Sequence, residues 1–117
     1  MTLMRLEGIA EKYGVKGISL GGCAKLNYKG TKTAMRRSGH AHWYQKRYMD
    51  YLAKYDPRNL KLVGWICVKS SKTEKLLKGN GQPNELFWHE VGHIYRSSWT
   101  QKQCDKWAWN QARSYQV

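Results

Sequence analysis

The clearest chemistry in this chain lies in five consecutive residues, His89-Glu90-Val91-Gly92-His93, an HExxH arrangement. On a helix, histidines four residues apart share a face with Cβ atoms roughly 5–6 Å apart, so both imidazoles can reach one Zn²⁺ at about 2.0–2.1 Å. Glu90 is turned about 100° from His89, out of ligand position but able to accept a proton from a metal-bound water. The metal lowers the pKa of that water to around 7, making hydroxide available at neutral pH. Two ligands, a base and a polarised water are the core of a metallohydrolase. With 4 His and 5 Glu in 117 residues, roughly 0.006 such matches are expected by chance. The competing reading is a helix that displays two surface histidines and a glutamate.

Other reactive types carry less. His40 and His42 sit two apart in Gly39-His40-Ala41-His42; in an extended segment they share a face, as a further donor pair or as two solvated histidines. Cys23, Cys67 and Cys104 are odd in number and widely spaced, without a CxxC pair. That excludes a zinc ribbon or a disulfide framework and suits a reducing compartment. Gly79-Asn80-Gly81 lacks the length and lysine of a phosphate loop.

The HExxH segment needs a helix, and its flanks supply one. Pro83 opens a helix to about Ser97, whose far face of Phe87, Val91, Ile94 and Ser98 turns to the core. A last helix starts at Thr100, where Thr100-Gln101-Lys102-Gln103 matches a capping box and Cys104, Trp107 and Ala108 form the inner face. Upstream, Leu3, Leu6, Ile9 and Tyr13 predict a helix from Thr2 to Tyr13, ended by Gly14. Period-two spacing predicts short strands at Ile18–Leu20 and, beyond Gly21-Gly22, at Ala24, Leu26 and Tyr28. Tyr44, Tyr48, Tyr51 and Tyr55 predict a helix from Trp43 to Tyr55, stopped by Asp56-Pro57. The apolar run Leu62–Val68 reads as a buried strand within Leu60–Val68, and the polar stretch Ser70–Gln82 ends in a loop. The order predicts one α+β domain over residues 1–117 with a small sheet.

The segment Glu85-Leu86-Phe87-Trp88-His89-Glu90-Val91-Gly92-His93-Ile94, followed by Cys104-Asp105-Lys106-Trp107-Ala108, resembles the small zincins, in particular the ImmA/IrrE-type and related phage-borne, minigluzincin-like metallopeptidases. The resemblance covers roughly residues 60–112. It implies a zincin-like fold, with a short, mostly antiparallel sheet packed on the HExxH helix and a following C-terminal helix. It also implies a zinc-dependent hydrolase of peptide bonds in a protein substrate, and a cytoplasmic setting in a bacterial or phage-infected cell. By the same resemblance the strand Trp65, Ile66, Cys67, Val68 and Lys69 lines the cleft, and substrate adds to its edge. In that group the helix after HExxH supplies an acidic ligand, whose place here is taken by Gln101. Three outcomes are open. Asp105, the only acidic residue after Glu90, completes the site with His89 and His93 and is the favoured choice. Alternatively Gln101 ligates weakly while Asp105 orients a histidine from behind. Or the site holds no metal, and the chain is a degenerate relative.

Charge adds a second theme. The chain has 21 Lys+Arg against 8 Asp+Glu, a formal +13, far beyond what solubility requires. Between Glu11 and Asp50 no acid occurs, while Lys25, Lys29, Lys32, Arg36, Arg37, Lys46 and Arg47 are interleaved with Tyr28, Trp43, Tyr44 and Tyr48. Lysines and arginines meet phosphates and aromatic faces stack on unpaired bases, so DNA or RNA is an expected partner and the protein substrate a candidate for DNA association. The alternative function is a non-enzymatic, basic nucleic-acid-binding or inhibitory protein of phage type on a degenerate zincin fold. No apolar run reaches the length of a membrane span, and the first residues lack the order of a secretory signal.

Overall fold

The computed structural model describes residues 1–21, 38–45 and 62–115 of the chain. Helix α1 (Leu3–Glu11) leads into strand β1 (Val15–Leu20); strands β2 (Gly39–Gln45) and β3 (Leu62–Val68) follow, then helices α2 (Glu85–Tyr95) and α3 (Gln101–Ser114). The three strands form one sheet in the order β1-β3-β2. β1 runs parallel to β3 and β2 antiparallel to it. The result is a small mixed α+β domain. No helix among the described residues is long and apolar enough to cross a membrane.

β3 is apolar where successive side chains, which point to opposite faces, are both covered. Ile66, Cys67 and Val68 are fully buried, and a strand covered on both faces reads as a continuous run rather than an alternation. Helix α2 gives Phe87, Trp88, Val91 and Ile94 to the core, where the Trp88 ring meets Tyr13, Trp107 and Tyr115. Phe87 and Trp88 are wholly inaccessible, and truncating such a side chain to Ala costs about 3–5 kcal/mol. The helix sits close to β3 because Gly64 lies beneath it. A Cβ there would fall 2.4 Å from Ile94 Cγ2. α3 buries only small residues, Cys104, Ala108 and Ala112, so it can approach α2 closely. At its C-terminal end the Lys78 ammonium donates to the Ala112 carbonyl, where the helix dipole favours a cation.

The helix ends follow local chemistry. Thr2 caps α1 by accepting from the Arg5 N–H at 3.2 Å. Asn84, rather than Pro83, caps α2 by accepting from the Phe87 N–H at 3.0 Å. The expected capping box opens α3, with Thr100 Oγ1 and Gln103 Oε1 each accepting from the other residue's N–H at 3.2 and 2.8 Å.

Three expectations change. The helix expected from Trp43 does not begin there, because residues 43–45 belong to β2; its remainder lies outside the described residues. The sheet is mixed rather than mostly antiparallel, having one pairing of each kind. Residues Trp65–Val68 form the central strand, hydrogen-bonded on both sides, and the Lys69 N–H donates to the Ser38 carbonyl at 2.8 Å. Trp65, Ile66, Cys67, Val68 and Lys69 therefore present no open edge for a substrate strand to join. Within the polar stretch after β3, Thr73–Leu76 forms a 3₁₀ turn ahead of the expected loop. The strand expected at Ala24–Tyr28 and the basic residues Lys25, Lys29, Lys32, Arg36, Arg37, Lys46 and Arg47 lie outside the described residues.

Candidate metal centre

α2 places His89 and His93 one turn apart on the face turned toward α3, with ring centroids 4.7 Å apart. Their Nε2 atoms are 3.0 Å from each other. The turn between the helices brings the first residue of α3 opposite them. Gln101 Oε1 lies 2.6 Å from His89 Nε2 and 2.9 Å from His93 Nε2. Three donor atoms thus close a small triangle.

The outer ring nitrogens are held as well. Asp105 Oδ1 is 2.6 Å from His89 Nδ1, and Cys104 Sγ is 3.4 Å from His93 Nδ1. A carboxylate at Nδ1 favours the tautomer in which Nδ1–H donates to it and Nε2 of His89 keeps its lone pair. The Cys104 thiol is pushed up from 9.0 to about 11, by burial first and then by the Glu90 and Asp105 carboxylates. It stays a neutral thiol whose sulfur can accept from His93 Nδ1–H. In that tautomer His93 Nε2 is also a bare lone pair. With both rings in that tautomer and the Gln101 amide oxygen turned inward, three lone pairs face one another at 2.6–3.0 Å, an arrangement suited to a cation. One proton relieves one contact, whereas a divalent ion serves all three.

Tetrahedral zinc at about 2.0–2.1 Å from each donor would hold the donors about 3.3 Å apart. The sides of 2.9 and 3.0 Å need to open by about 0.3–0.4 Å and the 2.6 Å side by about 0.7 Å, within reach of small side-chain rotations, so the donor set fits zinc. Among the described residues no three His, Cys, Asp or Glu side chains form such a group; the third donor is an amide. Asp105, favoured as a direct ligand, instead lies on the outer nitrogen of His89, and Gln101 occupies the inner position.

Glu90 is buried, at 5% exposure, with Oε1 3.9 Å from His89 Nε2. It faces a cleft of about 270 Å³ lined by Ser38, Gly39, Glu85, Leu86, His89 and Asp105 besides itself. Gly39 keeps that cleft open. A Cβ there would stand 3.2 Å from the Cys67 carbonyl oxygen, 3.3 Å from Leu86 and 3.5 Å from Glu90 Cγ. Through Ser38 and Leu86 the cleft adjoins a second of about 390 Å³, which carries Lys69 and Lys75 and no carboxylate.

The sequence offered no direct pointer to Ser38, Gly39 and Leu86, which arrive through tertiary contact. Cys104 was legible in principle: Gln101, Cys104 and Asp105 are spaced i, i+3, i+4 and so share one side of α3. His40 and His42 belong to β2, in register with Cys67 and Trp65 of β3. Comparison of the chain with protein-family models, with curated proteins and with solved structures gives no match.

Proposed function

We propose that this chain is a small zinc-dependent peptidase of zincin type, related to the ImmA/IrrE-like group that its HExxH segment resembles. The observation that carries the reading is the convergence of His89 Nε2, His93 Nε2 and Gln101 Oε1 within 3.0 Å, with both outer ring nitrogens already held. His89, His93 and Gln101 would hold the ion. When bound, zinc lowers the pKa of a water to around 7 and polarises a carbonyl oxygen.

The chain's own residues supply the rest. Asp105 and Cys104 fix the two imidazoles, an arrangement whose loss commonly costs 10–100-fold in metal affinity or activity. Glu90, at the cleft wall beside His89, takes the proton of the attacking water and returns it to the leaving amine. Ser38, Gly39 and Leu86 shape the space for a peptide backbone, and Lys69 and Lys75 suit an acidic side chain in the adjoining cleft.

The amide at position 101 bears on the strength of the site more than on its chemistry. Catalytic zinc works with three neutral ligands, as in three-histidine sites. A neutral set leaves the ion's charge undiminished, which favours water ionisation but weakens retention.

Glu90→Gln is the decisive variant. It should retain zinc and lose hydrolysis of an unfolded-protein or peptide-library substrate; undiminished cleavage would remove Glu90 from the mechanism. The same amide also favours a second reading, a basic binding or inhibitory protein that keeps this architecture without turnover. A wild-type protein that binds zinc weakly, and cleaves nothing when zinc is saturating, is the outcome that selects it.

A further inference from the structure

Helix α3 turns one side inward, with Gln101, Cys104 and Asp105 at the metal-donor triangle and Ala108 and Ala112 farther along in the core. Another side carries Lys102, Lys106, Trp109 and Arg113, spaced by four, three and four residues and therefore within about 60° of one another around the axis. All four are exposed. Trp109 is 47% exposed, and apart from Met4 it is the only large hydrophobic so exposed among the described residues. The Arg113 guanidinium lies 4.2 Å from its ring centroid. Beside this stripe, and sharing Lys106 with it, is an open cleft of about 340 Å³ walled by Trp99 and Trp107. Those two indoles are 5.7 Å apart and tilted by 57°. The one carboxylate of α3, Asp105, is held by His89 Nδ1.

We infer that this face of α3 is a binding site for single-stranded nucleic acid, with phosphates on Lys102, Lys106 and Arg113 and unpaired bases stacked on Trp109 and in the Trp99–Trp107 cleft. Three cations in a line of about 16 Å match a polyanion of regular charge spacing. The exposed Trp109 indole beside them, with the half-buried Trp99 and Trp107 at the neighbouring cleft, adds a stacking platform that works for every base. A membrane surface fits less well. An interfacial helix buries a continuous apolar face in lipid, whereas the exposed side of α3 offers a single apolar side chain, Trp109, among cations, and Cys104, Ala108 and Ala112 are buried within the protein. The site is independent of the proposed peptidase chemistry and lies outside the basic segment between Glu11 and Asp50.

The test is fluorescence anisotropy with an end-labelled oligo(dT) of about 20 nucleotides, run on zinc-loaded and zinc-free protein between 50 and 200 mM salt, as suits phosphate contacts. Binding is expected in both forms. Log affinity should fall against log salt with a slope of about −2 or steeper, as three phosphate contacts to a single strand require. Joint replacement Lys102→Ala and Lys106→Ala should flatten the slope by about 1.4. Trp109→Ala should weaken binding about ten-fold at constant salt. Lys72→Ala, which removes the same charge away from the helix, serves as the control and should leave affinity close to wild type. Circular dichroism verifies that these exposed changes leave the fold intact. Wild-type affinity in both α3 variants would overturn the proposal. So would binding of anionic phospholipid vesicles through these residues without binding of oligo(dT), or a duplex bound as tightly as the single strand with no effect of Trp109→Ala.

Discussion

Replacing Gln101 with Glu converts a neutral donor into a charged one without changing its length. In the present geometry the new carboxylate oxygen would lie where Oε1 now does, 2.6 Å from His89 Nε2 and 2.9 Å from His93 Nε2. Residue 101 is solvent-exposed, so the water-like limit of the dielectric applies. A unit negative charge about 2.1 Å from a doubly charged ion then gains about 4 kcal/mol. Roughly half of that is offset by stripping water from the carboxylate, leaving about 2 kcal/mol, or about 30-fold tighter zinc. The same carboxylate also stabilises protonated imidazoles at both histidines, so protons compete harder with zinc in the variant. The gain should therefore be larger at pH 8 than at pH 6. Competition titration against a chromogenic chelator at the two pH values measures both quantities. Unchanged or weaker zinc affinity in a folded Gln101→Glu protein at pH 8 would refute Gln101 as a donor and the triangle as a metal site.

Asp105→Asn keeps a side chain of the same size but removes the charge from His89 Nδ1, so zinc affinity should fall about 10–100-fold with stoichiometry intact. A loss of stoichiometric binding at saturating zinc would instead make Asp105 a direct ligand. Because the folded protein holds the Cys104 proton up to about pH 11 and the unfolded chain releases it near 9.0, this group's contribution to stability is fully present below pH 9 and declines as pH rises toward 11. Thermal melts of the zinc-free protein between pH 8.5 and 10.5, a range bracketing the unfolded cysteine pKa, should fall more steeply for wild type than for Cys104→Ala; parallel curves would contradict the shift. Gly64→Ala drives a methyl into Ile94, 2.4 Å away, and should cost about 1–3 kcal/mol in urea unfolding. A wild-type midpoint would mean that α2 does not lean on β3 at that point.

Much of the fold was legible where local chemistry decides it. The Thr100 capping box, the Thr2 cap and the unbroken apolar run of β3 each carry their own signal, and each element appears within two or three residues of its expected place. The error at Trp43 has a simple origin. A spacing of four, as in Tyr44 and Tyr48, satisfies a helical face and also keeps to one face of a strand, since both periods return near four. Only the strand β3, which pairs with residues 39–45, settles the choice, and that pairing is non-local. Strand order is non-local in the same way: β3 reads identically whether it is an edge or a centre until β1, more than forty residues earlier, is known to lie beside it.

At the site, His89, Glu90 and His93 were readable because four-residue spacing on a helix fixes their relation without help from the rest of the chain. The third donor was not readable by residue type, since acidity points to Asp105 and not to the amide. Both side chains leave the same side of α3. Their order on the two faces of His89 follows from which turn of α3 faces which turn of α2, a property of helix packing. Gly92, where a Cβ would stand 3.1 Å from Trp107 Cε3 and 3.5 Å from Cys104 Sγ, contributes to setting that approach.

The most direct test of the account is metal analysis of the purified, zinc-dialysed protein beside His89→Ala and His93→Ala. About one zinc per chain in the wild type, lost from both variants while their folds persist, is the predicted result. A wild type that emerges from micromolar zinc without a stoichiometric ion, or histidine variants that keep theirs, would contradict it.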